Sequence, residues 1–460
     1  MSKKEHIKYV YLIGAGGIGM SALGRYYLRQ GALVYGYDKT PTRLTDTLQE
    51  EGMVLIFEDN AQLLPDFILK EEPSTETLII YTPAIPKETS ILAEVIKRGF
   101  KPVKRAEVLG KICQNHFTIA VSGTHGKTTT SSMIAHLLRS SGKDLTAFLG
   151  GICTNYNTNF LLGGPESVFV VEADEFDRSF LHLHPELAVV TSTSADHLDI
   201  YGEAEGVKGA YAQFASQVKE ALFVHKGEEI ANNEKQSIFS YAVDQSADFE
   251  GVKISIQQGI YQFSIKTNQG EIGPFRLSVP GIHNVENAIA AVAVCRHIGI
   301  SDEKLIKALS SYAGVKRRFE YVLRSSECTI IDDYAHHPEE LNAAIATAKA
   351  IFPDKRITGI FQPHLYSRTR DFMEEFAQSL DQLHEIILLD IYPARELPIE
   401  GITSEALLKL CKNPNKQLSG KRELVNHLQE LKPEVLLILG AGDIDALVEP
   451  IKNMLINQNA

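Results

Sequence analysis

A chain of 460 residues is too long for one ordinary domain; at roughly 150 residues per domain it implies about three. Its 44% hydrophobic and 23% charged residues are those of a folded globular protein and exclude a largely disordered chain. With 58 acidic against 46 basic residues the formal net charge is −12, which argues against a non-specific nucleic-acid binder, since such a protein must neutralise phosphates.

The first third alternates short β-branched or aromatic runs with helical stretches. Residues 9–13 (YVYLI) make a strand; a glycine loop and a helical stretch at 20–29 follow, then strand-like runs at 33–37, 54–57 and 77–81. Strands alternating with helices predict a parallel α/β sheet. The uncharged stretch 9–24 follows Lys3, Lys4 and Lys8 as a secretory signal core would, but Gly14, Gly16, Gly17 and Gly19 interrupt it. No other uncharged apolar run approaches the ~20 residues that span a bilayer. The five cysteines, Cys113, Cys153, Cys295, Cys328 and Cys411, form no CxxC pair and fit a reducing compartment. A soluble cytoplasmic protein is the expectation.

The pattern restarts at 117–121 and continues at 168–171 and 187–191. Between about 237 and 277 short alternating segments, such as 259–265, read as antiparallel, and an alanine-rich helix follows over 285–298. A third α/β series runs through 328–331, 357–361, 385–389 and 435–439. Boundaries near 110 and 320 divide the chain into three consecutive α/β domains, 1–110, 111–319 and 320–460.

Two glycine clusters carry the strongest chemical signal. Gly14-Ala-Gly16-Gly-Ile-Gly19 is a complete G-x-G-x-x-G between a strand and a helix, so its backbone can approach a diphosphate. Asp38 ends the next strand, where a ribose-binding carboxylate belongs. Alone, this motif would indicate a dinucleotide-dependent oxidoreductase. The second cluster, Ser122-Gly123-Thr124-His125-Gly126-Lys127-Thr128-Thr129, also lies between strand and helix. Its backbone amides suit phosphates, the Lys127 ammonium the terminal ones, and the Thr128 hydroxyl a Mg²⁺ ion, with ATP the default ligand. Only two residues separate its glycines, a departure from the usual G-x-x-x-x-G-K-[ST] spacing.

Acidic clusters follow two of the central strands: Glu172-Ala-Asp174-Glu175-Phe-Asp177 and Asp196-His197-Leu-Asp199. Carboxylates at strand ends beside a phosphate loop suit Mg²⁺, which prefers hard oxygen donors. His283-Asn284-Val-Glu-Asn287 opens the alanine-rich helix, with the two asparagines three apart on one face, suited equally to an adenine edge or to capping. Lys316-Arg317-Arg318 sits at the second boundary, Asp332-Asp333-Tyr334-Ala-His336-His337-Pro338 ends a strand, and Gln362-Pro-His364-Leu365-Tyr366-Ser-Arg368 ends another. These last two loops could meet at one rim and recognise a polar substrate.

Together these motifs, with Gly440-Ala-Gly-Asp-Ile444, resemble the Mur ligases over nearly the whole chain, and the Asp-Asp-Tyr-x-His-His-Pro and Gln-Pro-His-x-Tyr-Ser-Arg pair resembles the alanine-adding branch. The resemblance implies an N-terminal Rossmann-like domain for a UDP-sugar, a central P-loop ATPase-like parallel sheet with a small antiparallel part, and a C-terminal Rossmann-like domain closing over ATP and the amino acid. It implies ATP-dependent amide formation between L-alanine and the lactyl carboxylate of UDP-N-acetylmuramate, in a cytoplasmic monomer or homodimer with no nucleic-acid or membrane partner.

Gly14, Gly16, Gly17, Gly19, Met20, Ser21, Asp38, Thr82 and Ala84, with His125 and His197, would then hold the UDP-sugar. Gly123 to Thr129, His283, Asn284, Asn287, Arg318 and Asp333 would bind ATP. Thr128, Glu172 and His197 would ligate Mg²⁺, and Tyr334, His336 and Arg368 would shape the amino-acid pocket. Lys127, Glu172, His197, Arg318 and Asp333 would be the catalytic set. Two positions depart from the family pattern: Leu365 replaces a common basic residue, and Thr193-Ser-Ala195 replaces Asn-x-Glu. The rivals are a salvage ligase that joins a murein tripeptide to the same sugar, and the oxidoreductase.

Overall fold

The computed structural model describes residues 7–86, 88–194, 204–228, 230, 236–257, 259–394 and 396–457. The chain divides into two compact units: one comprises 1–254, 263–276 and 283–312, the other 255–262, 277–282 and 313–460. The architecture is α/β throughout, and its sheets are dominated by parallel pairing.

The first sheet has five strands, β1 (Tyr9–Ile13), β2 (Leu33–Tyr37), β3 (Val54–Ile56), β4 (Thr77–Tyr81) and β5 (Val103–Lys104), in the order β3-β2-β1-β4-β5. The order reverses between β1 and β4, which pair along their whole length, and open α/β sheets take ligands at the carboxyl end of such a switch point. A second sheet of ten strands contains β6 (Thr118–Ser122), β7 (Leu145–Cys153), β8 (Thr158–Leu161), β9 (Val168–Glu172), β10 (Leu187–Val190), β11 (Ala221–His225), β12 (Ser237–Val243), β13 (Phe249–Gln257), β14 (Ile260–Thr267) and β15 (Gly270–Leu277). β6 is buried at every residue, as a central parallel strand covered on both faces must be, and β9 and β10 flank it.

The region 237–277 departs from its antiparallel expectation at its start, where β12 runs parallel to β11 and the first residues of β13 parallel to β12; β13, β14 and β15 are neighbours too close in sequence for the crossover that parallel pairing needs, and so meet that expectation. Antiparallel pairing is also found between β7 and β8. Alternation of apolar and polar residues reports one wet face, not the direction of the neighbouring strand.

One apolar cluster runs without a break from Val10, Leu12, Ala22 and Leu23 beside the first sheet to Phe148, Phe160, Phe169 and Val171 of the second. Tyr26 lies 5.7 Å from Phe148 and 6.2 Å from Phe160, ring centre to ring centre. Below these rings the buried Arg25 pairs with Glu51 at 2.7 Å and donates to Asn159.

The second unit carries β16 (Glu320–Arg324), β17 (Thr329–Asp333), β18 (Ile357–Phe361), β19 (Glu385–Leu388), β20 (Lys416–Leu418) and β21 (Val435–Leu439), ordered β16-β17-β21-β18-β19-β20. Separate apolar clusters cover its two faces: Leu341, Ile345 and Phe376 on one, Leu424, Leu428 and Ile451 on the other.

Candidate active site

In the first unit both glycine clusters occupy strand–loop–helix turns. After β6, Gly123 has φ 134° and Gly126 has φ 83°, conformations that side chains resist. A Cβ on Gly123 would collide with Thr191, and one on Gly126 would lie 2.6 Å from Asn287 Oδ1. Gly126 caps the helix Lys127–Ser140, whose N-terminal dipole favours an anion. Thr124 Oγ1 donates to Ser194 O at 2.8 Å and His125 N to Ser192 Oγ at 3.0 Å, which fixes the loop beside the end of β10.

Lys127 Nζ donates to Gly123 O at 2.6 Å and to both Glu175 oxygens at 2.9 and 2.8 Å. The side chains are only 13% and 3% exposed, so the pair lies out of water. Burial works against the Lys127 charge, but Glu175, Asp174 and Glu172 outweigh it and raise its pKa above the ordinary value. Burial pushes the Glu175 carboxyl up, and Lys127 pulls the other way.

Glu172 ends β9 in register with Val121 of β6, and Thr128 stands in the first turn of the helix Lys127–Ser140. Gly150 makes room for the Glu172 carboxylate, since a Cβ there would collide with it. A hydroxyl and carboxylates are hard oxygen donors in an acidic field, a set that fits Mg²⁺. No three His, Cys, Asp or Glu among the described residues cluster as a metal site, so phosphate oxygens and water would have to complete the shell, as is usual for Mg²⁺. The expected ligand His197 lies outside the described residues, with Asp196 and Asp199.

The helix Ile282–His297 brings Asn284 and Asn287, both buried, to this loop. Asn287 Nδ2 donates to Asn284 Oδ1 at 3.2 Å, and Thr130 Oγ1 donates to Asn287 Oδ1 at 3.0 Å. His283 is exposed at the helix start, and Thr129 is buried behind the loop.

At β1, Gly14 has φ 91°, and a Cβ on it would stand 2.6 Å from Thr82 Cγ2, so the loop rests on the end of β4; Ala84 is exposed nearby. Gly16 N donates to Asp38 Oδ2 at 2.8 Å and Thr40 N to Oδ1 at 3.1 Å, turning that carboxylate onto the loop itself. The side chains of Met20 and Ser21 are 1% and 0% exposed, which leaves their backbone as the part of them a ligand could meet. Ser21 Oγ donates to Ile18 O at 2.8 Å and accepts from Asn159 Nδ2 at 3.0 Å, which holds the helix Ile18–Arg29 down instead. Two cations that no spacing indicated also reach the acidic cluster: Lys104 Nζ lies 2.7 Å from Asp177, and Arg105 Nη2 lies 3.4 Å from Asp174.

In the second unit, Asp332 and Asp333 end β17. Asp333 accepts from Phe319 N at 2.7 Å and Ala335 N at 2.8 Å, yet burial pushes its carboxyl up to about 6. Burial takes Asp332 to about 7, with Arg317 at 3.5 Å only partly opposing. Arg318 lies 3.9 Å from Glu340 and 5.6 Å from the Tyr334 ring centre. Tyr334 and His336 meet at 5.2 Å, His336 and His364 at 5.9 Å, and Arg368 Nη1 lies 3.3 Å from His364 Nδ1. The expected pocket residues Tyr334, His336 and Arg368 thus gather through His364. Tyr392, which no motif singled out, stacks on His364 at 5.6 Å. Burial lowers the His336 pKa and favours a neutral ring, against the pull of Glu340. Leu365 holds φ 72° at the head of the helix Tyr366–Asp371. A cavity of about 550 Å³ opens beside this rim, lined in part by Gln362, Tyr392, Ser419, Lys421 and Asp443.

Comparison with known proteins accounts for the whole chain. Family profiles match residues 9–117 (Mur ligase family, catalytic domain), 121–295 (Mur ligase middle domain) and 317–442 (Mur ligase, glutamate ligase domain). The UDP-N-acetylmuramate–L-alanine ligase of Flavobacterium johnsoniae is 46% identical over 457 residues, 99% of each chain. That of Porphyromonas gingivalis is 47% identical over 455 residues, 98% of this chain and 99% of the relative. A crystal structure of the UDP-N-acetylmuramate–alanine ligase of Thermotoga maritima superposes with TM-score 0.84 at 26% identity, over 98% of this chain and 100% of that one. Phosphate loop, acidic strand ends and full-length similarity agree: the chain belongs to the Mur ligase family.

Proposed function

We propose that this Mur ligase joins L-alanine to the lactyl carboxylate of UDP-N-acetylmuramate with cleavage of ATP. The observation that carries the reading is similarity along 99% of the chain to a relative named for that activity, 46% identical. The geometry around Lys127 supports it, since a buried ammonium among carboxylates at a phosphate loop suits phosphoryl transfer.

The reaction forms an acyl phosphate. A carboxylate oxygen attacks the γ-phosphorus, the bond to the β–γ bridging oxygen breaks, and ADP leaves. The alanine amine then attacks the acyl carbon, phosphate departs, and the amine loses a proton. Gly123 to Thr129 would cradle the phosphates, with Lys127 turning from Glu175 toward the terminal ones. Thr128 and Glu172 would hold Mg²⁺, with His197 beside a second ion; bound there, the metal neutralises charge on the transferring phosphoryl group. Asn284 and Asn287 would serve the adenine end, reached through His283, and Arg318 and Asp333 would also contact ATP. Gly14 to Gly19, Asp38, Thr82 and Ala84 take the UDP end. Tyr334, His336 and Arg368 hold alanine, with Tyr392 backing His364. Much of this catalysis is positioning. The protein acts in the cytoplasm as a monomer or homodimer; among the described residues, no helix is long and apolar enough to cross a membrane.

The test is phosphate release from ATP, Mg²⁺ and UDP-N-acetylmuramate with each amino substrate in turn. Release on adding L-alanine is expected. Release with a murein tripeptide but not alanine would move the assignment to the salvage reaction.

A further inference from the structure

A glycine loop meets a diphosphate with neutral amides and leaves its charge to be balanced by another group. In the second sheet Lys127 sits within its own loop. The loop after β1 contains no cation, and the guanidinium that reaches it comes from a distant element. Arg105 opens the helix Arg105–Cys113 directly after β5. A Cβ on Gly19 would collide with Arg105 Nη1 and lie 3.1 Å from its Cδ and Cζ, so the guanidinium rests on the first turn of the helix Ile18–Arg29. No side chain caps that turn, since Gly17 is its N-cap. Nη2 keeps one long contact, 3.4 Å, with Asp174, whose side chain is 35% exposed.

We propose that Arg105 is a substrate-binding residue: its guanidinium receives the diphosphate of the sugar nucleotide at the β1 loop, exchanging Asp174 for phosphate oxygens. The proposal rests on the UDP-sugar reading above. Three features favour it over a purely structural strut. The planar fork of arginine matches phosphate in two parallel hydrogen bonds, whereas it makes a single long contact with Asp174. The strut role is already filled next door by Lys104, at 2.7 Å from Asp177. Finally, Gly19 needs its glycine to admit this side chain, not to adopt a positive φ, which it does not have.

The experiment is titration of the full-length protein with UDP and with uridine, for wild type, R105A, R105K and D174N. R105A is expected to weaken UDP binding about 10- to 100-fold, the worth of charge-assisted hydrogen bonds, and leave uridine unchanged. R105K should fall between, because it keeps charge and loses the fork. D174N, which frees the guanidinium, should bind UDP as well as wild type or better. Equal loss of UDP and uridine in R105A, or a D174N variant as weak for UDP as R105A, would show a strut and overturn the proposal. Should R105A fail to fold, R105M keeps the aliphatic stem and takes its place. Wild-type protein that binds neither UDP nor uridine would overturn the parent reading, and this one with it.

Discussion

The two glycine loops of the first unit share a local grammar and differ in how much they contain. Each follows a buried parallel strand and is capped by a glycine at a helix start. Gly17 does this in extended backbone at φ −66°, where any residue fits; Gly126 does it at φ 83°, which only glycine adopts easily. The β6 loop carries its own ammonium, already paired with Glu175, whereas the β1 loop borrows Arg105 from another strand–helix turn. The cation of the β6 loop is local in sequence, and that of the β1 loop arrives only after β5 has joined the sheet. A sequence pattern therefore locates both sites and describes only one.

Breaking the self-contained site has the largest expected effect. Lys127→Ala should lower kcat/KM by about 10²- to 10³-fold or more, as loss of a preorganised donor does, while UDP titration stays at the wild-type value. A parallel loss of UDP binding would show that the two loops are not separable. Next is its partner. Glu175→Ala leaves a buried ammonium unpaired and should cost about 3–5 kcal/mol in urea denaturation. Part of that loss should return in saturating ATP and Mg²⁺, whose phosphates offer Lys127 a new counter-charge. An undiminished deficit would mean that the lysine never leaves Glu175's place. The cap glycines sharpen the contrast at smaller scale. Gly126→Ala should destabilise by about 1–3 kcal/mol, through backbone strain and Asn287, whereas Gly17→Ala should stay within about 1 kcal/mol. Equal costs would erase the difference between the two caps.

The smallest effect belongs to the second unit. Burial holds the Asp332 carboxyl near 7, against an ordinary 3.8, so the folded chain keeps a proton that the unfolded chain has already lost. The stability this contributes is full below about pH 4 and is lost as pH rises through about 7. Asp332→Asn should thus be close to neutral near pH 4 and stabilising near pH 8 in thermal melts. The same Tm difference at both pH values would contradict the burial argument.

Strands were legible because parallel strands are continuous apolar runs, and both loops because glycine at a strand end has few other uses. The rim formed by Tyr334, His336 and Arg368 was legible too, since each follows a strand of one sheet. Glu175 could be seen only as one member of an acidic run; that it, and not Glu172, grips Lys127 depends on the turn after β9. Arg105, Asn159 and Tyr392 left no signal, because their partners lie 69, 134 and 28 residues away. The direction of β12 was misread from alternation, which depends on exposure alone. His197 stays an expectation from its motif.

The apolar cluster joining the first two sheets bears on how such a chain can be recombined. Family profiles place a seam between 117 and 121, and a chimera cut there would part Tyr26 from Phe148 and Phe160, and Arg25 from Asn159. A donor N-terminal segment would arrive with one side of an interlocked surface and meet a host shaped for another. Exchange of the first sheet between relatives therefore demands that β7 and β8 travel with it, so the transferable piece is longer than the recognisable one.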